Sequence, residues 1–129
     1  MKKQTKIKSL LIAIALILGF SSFPAGASAD TAYNTTLNPG EQKQLAREYI
    51  IGGGSVVGNQ QNVFSGGNRG VQYVIQDGSG NNIKVENHYN VTVNITFDAG
   101  LLGKFISLIA RNLNRGSSDA VKVTGTLKD

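Results

Sequence analysis

From Tyr89 to Phe97 the chain alternates strictly: Tyr89, Val91, Val93, Ile95 and Phe97 are separated by Asn90, Thr92, Asn94 and Thr96. Successive side chains of a strand point to opposite faces, so a period of two predicts a β-strand with one apolar and one polar face. Its β-branched and aromatic residues suit a pleated, half-buried surface. The strand is expected at the centre of the fold, with a second layer over its apolar face. A shorter alternation precedes it. Val71, Tyr73 and Ile75 are followed by Asp77-Gly-Ser-Gly80 and then by Ile83 and Val85, which predicts a hairpin. Near the C-terminus, Val121, Val123 and Leu127 share one face of a final strand over 120–127.

Two stretches fit two periods each. Asn38-Pro-Gly-Glu41 has the cap, first-turn proline and returning glutamate of a helix start, and a helix over 39–50 gathers Leu45, Ala46, Tyr49 and Ile50 on one side. The same Pro-Gly is turn chemistry, and 42–51 can run as an edge strand with Lys43 and Arg47 exposed. The second stretch is 101–114. As a helix it collects Leu101, Leu102, Phe105, Ile106, Leu108, Ile109 and Leu113 on one arc, with Lys104, Ser107 and Arg111 opposite. As a strand it is apolar on both sides, suited to an interior position covered on both faces. The strand version makes 89–127 a meander.

Between these, Gly52-Gly-Gly54 should break the preceding element. Residues 55–64 hold Val56, Val57, Val63 and Phe64 around a polar middle, a poor strand or a short hairpin. In its last forty residues the chain resembles a general pattern of small exported bacterial β-sandwiches, with a strand, an Asn-containing loop and a Val-x-Val-x-Gly strand at 121–125. That resemblance transfers no functional residue.

Composition changes the picture at the N-terminus. Lys2, Lys3, Lys6 and Lys8 precede the apolar run Leu10–Phe20, and Ala27-Ser28-Ala29 supplies a small-x-small site. This is the layout of a secretory signal, cleaved after Ala29, and it resembles a bacterial one. Its apolar run is shorter than the ~18 residues a spanning helix requires. The expectation is a signal peptide over 1–29, a single domain over 30–129 and a secreted product. Of the 13 Lys and Arg residues four lie in the signal, leaving nine against eight acids. A nearly neutral domain with no basic cluster has little electrostatic reason to bind nucleic acid. Cysteine is absent, so neither disulfides nor thiolate metal sites arise.

Candidate chemistry is sparse. Asp77, Ser79 and Asn81 alternate as calcium ligands do, but Asn82 stands where a loop glycine is wanted and His88 where a bidentate Glu is wanted. A plain hairpin turn is the stronger reading. His88 is the single histidine; no Gly-x-Ser-x-Gly elbow accompanies it, and one histidine cannot supply a His-rich metal site. The glycine runs lack Gly-Lys-Ser/Thr, which excludes a P-loop. Without Trp, stacking on a carbohydrate would fall to Tyr33, Tyr49 and Tyr73. No catalytic, cofactor-binding or metal-binding residue is assigned. The sequence therefore predicts an all-β protein, a small antiparallel β-sandwich, with an α+β fold carrying helices near 39–50 and 101–114 as the alternative. The expected role is an exported, non-catalytic binding or structural module, meeting a surface, matrix or protein ligand of unknown identity. A membrane-active toxin using 101–115 is the alternative.

Overall fold

The computed structural model describes residues 30–129. The expected signal segment and its cleavage site lie outside the described residues. Eight strands follow in order: β1 (Asp30–Leu37), β2 (Gln42–Ile50), β3 (Gly53–Asn62), β4 (Val71–Asp77), β5 (Asn82–His88), β6 (Thr92–Asp98), β7 (Lys104–Asn112) and β8 (Val121–Lys128). They form two antiparallel four-stranded sheets, ordered β1-β8-β3-β6 and β2-β7-β4-β5. This is the all-β sandwich that the alternation predicts, and no helix occurs among the described residues. Every link except the β4–β5 hairpin passes from one sheet to the other. The expected 89–127 meander is thus replaced by strands that alternate between layers.

Neither ambiguous stretch is helical, and each has a physical reason for mimicking one. In β2 the register with β7 shifts between Gln44 and Ala46. The bulge adds one residue, Leu45, to the strand. After it, Ala46 and Ile50 are buried while Arg47 is exposed. The extra residue breaks the period of two and leaves apolar side chains at a helix-like spacing. Asn38-Pro-Gly-Glu41 closes a turn, with Glu41 N–H donating to Asn38 O at 2.9 Å. Gly40 at φ 75° occupies the third position, as a type II turn requires. Glu41 does reach back to the Asn38 N–H, at 2.9 Å, but it braces a turn and caps no helix.

In the second stretch, Leu101 and Leu102 belong to a turn, and the strand begins at Lys104. Ile106, Leu108, Ala110 and Asn112 face the core. Phe105 and Ile109 lie on the outer face, which remains partly open. The interior position is as expected; burial on both faces is not.

Two further expectations are corrected. The strand of strict alternation, β6, is an edge strand. It buries Val93, Ile95 and Phe97, but Tyr89 and Val91 precede it and are exposed. The polar stretch 55–64 is neither weak nor a hairpin: β3 runs unbroken through Asn62 and pairs on both sides. Gly53 and Gly54 begin that strand, and the break falls at Gly52, whose φ is 72°.

The inner faces are tied at two buried polar side chains, Gln60 and Asn112. Gln60 donates to Arg69 O and His88 O, each at 2.8 Å, and accepts from the Tyr73 hydroxyl at 2.8 Å. Asn112 donates to Leu37 O at 3.0 Å and Asp119 O at 2.7 Å, and accepts from Asn114 N at 2.9 Å. Buried polar groups cost little when fully bonded, and these bonds hold loops to the core.

Candidate functional site

The sequence draws attention first to His88, and the structure gives it an architectural setting. On edge strand β5, Lys84, Glu86 and His88 stand opposite Ile75, Tyr73 and Val71 in register, so they share the face turned toward the other sheet. His88 Nε2 lies 2.8 Å from Glu86 Oε1, and Lys84 Nζ lies 3.4 Å from Glu86 Oε2. Lys84 also donates to Thr96 O of β6 at 2.7 Å. The hydrogen bond from His88, with help from Lys84, holds the Glu86 carboxyl below the usual carboxylate range. The opposite side of the sandwich repeats the device: Lys43 of β2 donates to Thr36 O of β1 at 2.9 Å, and Thr31 donates to Glu48. Inward-pointing charges on edge strands block pairing with another chain. These polar contacts close the sides of the sandwich.

Asp77 is likewise occupied. Its Oδ1 accepts the Ser79 and Asn81 N–H groups at 2.9 and 3.0 Å. Chiefly the Asn81 backbone bond lowers its pKa. The carboxylate closes the hairpin turn. Of the tyrosines considered for stacking, Tyr33 and Tyr73 are buried in the core. Only Tyr49 reaches the outside.

Tyr49 belongs to a surface that the sequence did not single out. On the outer face of the second sheet it stands opposite Phe105 in register. Their rings meet edge-to-face with centroids 5.1 Å apart, a favoured aromatic geometry. The Arg47 guanidinium lies 4.5 Å from the Phe105 ring centroid, within cation–π range. Above this pair the chain turns through Gly100-Leu-Leu-Gly103. Leu101 is 93% exposed and Leu102 90%. Ile51, on the neighbouring β2–β3 link, is also exposed.

The turn is braced. Gly103 N–H donates to Gly100 O at 3.1 Å, Gly52 N–H to Gly100 O at 2.8 Å, and Ala99 N–H to Gly52 O at 2.7 Å. Tyr49 Oη donates to Leu102 O at 2.8 Å, and Asp98 Oδ1 accepts the Gly100 N–H at 2.8 Å. Gly100 and Gly103 have φ of 94° and 80°, a region that other residues enter at a cost. Two leucines are therefore held outward by a defined backbone. Contiguous exposed apolar surface on a folded domain marks interaction sites, and this end of the sandwich carries the candidate.

A signal for the turn did exist in the sequence: two glycines enclosing Leu101-Leu102 make a poor first helical turn. The Tyr49–Phe105 pair had no local signal, because its partners are 56 positions apart and meet only through strand pairing. In comparison with known proteins, no family model matches the chain and no curated protein matches it.

Proposed function

We propose that the protein is an exported, non-catalytic binding or structural module acting outside the cell or at its surface, with the 100–105 end as its contact surface. The observation that carries this reading is the pair of adjacent, almost fully exposed leucines on a braced turn. Leaving such side chains in water forgoes ~1.5–3 kcal/mol each relative to burial. The ionisable groups that might support catalysis have other employment in this account, since Glu86, His88 and Lys84 close an edge and Asp77 closes a turn. Export rests on the layout of residues 1–29. The rival, a toxin acting through an amphipathic helix over 101–115, loses its helix, since that segment is a turn followed by β7.

Fractionation of a producing culture tests the reading. Protein beginning at Asp30 should be found outside the cytoplasm, and Leu101→Ser/Leu102→Ser should move it from the cell-associated to the free fraction. Retention of the protein in the cytoplasm, or a distribution indifferent to the double substitution, would contradict it.

A further inference from the structure

We propose that the outer edge of β6 pairs with β6 of a second copy of this chain, antiparallel about Asn94, and joins the two first sheets into one. This goes beyond the contact surface described above, because it runs along the side of the sandwich and not across its end.

The hydrogen bonds at either end of β6 show which of its peptide groups face outward. The Gln60 N–H donates to Val91 O at 2.7 Å, and the Ala99 N–H donates to Gly52 O at 2.7 Å. In an antiparallel ladder alternate residues bond the same neighbour, so 91, 93, 95, 97 and 99 turn their peptide groups to β3. Thr92, Asn94 and Thr96 turn theirs to the free edge. Within this row, one group has a partner among the described residues: Thr96 O, which accepts from Lys84 Nζ at 2.7 Å. A row of unpaired N–H and C=O groups is a template for another β-strand, so the edge itself names the class of its partner.

The other three edges are guarded, each in its own way. β2 carries a bulge at Leu45 and the charged Lys43, Arg47 and Glu48. β5 carries a register shift opposite Ile75 and Gln76, and the charged Lys84 and Glu86. β1 starts at Asp30 and is crossed near both ends, by Glu48 at Thr31 and by Lys43 at Thr36 O. By contrast, β6 pairs with β3 without a register shift and has neither charge nor proline between Thr92 and Phe97. Bulges, charges and proline are the usual devices against edge pairing. On β6 the Lys84 bond alone stands in their place.

Self-complementarity selects a second copy as the occupant. Antiparallel pairing about Asn94 sets Asn94 against Asn94, Thr92 against Thr96 and, on the inner face, Val93 against Ile95. Amide meets amide, hydroxyl meets hydroxyl and β-branched side chain meets β-branched side chain, cross-strand matches that favour a sheet. No like charges are opposed. Each copy contributes the same strand, so the contact is isologous and closes at two. Lys84 has to leave Thr96 O, because that carbonyl then accepts the Thr92 N–H of the second copy. The lysine therefore weakens the dimer without forbidding it.

The chain from Asp30, which holds all eight strands, is followed by analytical ultracentrifugation over a concentration series. The parent should pass from monomer to dimer as its concentration rises. Lys84→Met should dimerise at about tenfold lower concentration, since a competing charge-assisted bond is gone. Asn94→Lys and Asn94→Asp, on the exposed face of β6, should keep the parent's melting temperature and stay monomeric, because the twofold axis sets like charges against each other. An equimolar mixture of these two variants should dimerise again, because Lys then opposes Asp. A parent that stays monomeric at millimolar concentration, a dimer that survives Asn94→Lys, an assembly that grows beyond two copies, or a mixture that stays monomeric would each overturn the proposal.

Discussion

Tyr33 lies across Gly58: a Cβ built on that glycine would sit 2.7 Å from the Tyr33 hydroxyl and 2.2 Å from Thr124 O. Gly125, which pairs with both Tyr33 and Gly58, is equally closed, with Tyr33 Oη 2.5 Å from its ideal Cβ. A large ring thus fills the space of two absent side chains in the first sheet. Gly58→Ala should therefore destabilise the fold by about 2 kcal/mol or more, because overpacking forces backbone or ring to move. Urea denaturation measures it. A loss below about 0.5 kcal/mol, typical of an unconstrained surface site, would show that the glycine pair does not seat the ring.

The same tyrosine makes the fold sensitive to alkali. Burial pushes the Tyr33 phenol up to about 12 from its ordinary value of 10.0, and burial pushes Tyr73 upward too, with a further contribution from Tyr33. The unfolded chain ionises first, so stability from Tyr33 is complete below pH 10 and is lost as pH rises through its folded value. For a shift of that size the loss approaches about 3 kcal/mol. Tyr33→Phe should move the alkaline unfolding midpoint upward. It should cost little at pH 7, because the hydroxyl has no hydrogen-bond partner among the described residues. An unchanged alkaline midpoint would contradict this account.

Gln60 joins three elements that are far apart in sequence. Gln60→Leu leaves the Tyr73 hydroxyl and the Arg69 and His88 carbonyls without their partner. The expected loss is about 3 kcal/mol, since each buried unpaired polar group costs roughly 1–3 kcal/mol. Adding Tyr73→Phe should recover part of that loss, because it removes one orphaned group. Additive losses in the two variants would mean that the hydroxyl and the amide are not coupled.

On β6, Val93 is fully buried and Thr92 is exposed. Val93→Asp should cost several kcal/mol by burying an unpaired charge, and Thr92→Asp far less. Equal melting temperatures for the two variants would mean that the strand's faces are assigned wrongly.

Alternation was legible where neighbouring side chains face different media, as in 93–97, 71–75 and 121–127. It was obscured wherever tertiary partners replace local pattern. Leu45 is the added residue of a bulge, so β2 lost its period. The polar middle of 55–64 gave no sign of a strand at Gly58, because the ring that fills its place comes from Tyr33. Nothing local marked Gln60 as a core residue, because its three partners lie 9 to 28 positions away. Tyr89 and Val91 extended the alternation beyond the strand itself. The proposed contact surface was harder still. Leu101 and Leu102 were absorbed into an apolar arc that runs through Ile106 and Leu108, although the former pair is exposed and the latter pair is core. Apolar type alone does not distinguish the two; the flanking glycines do.

We propose that the two exposed leucines, and not exposed apolar residues in general, form the contact surface. Two double variants are compared in cell-surface retention of the protein: Leu101→Ser/Leu102→Ser at the tip, and Val63→Ser/Phe64→Ser at the opposite end, where both side chains are also exposed. Both should keep the melting temperature of the parent. The tip variant should lose most of its retention and the opposite-end variant should keep it; equal retention for the two would contradict the proposed contact surface.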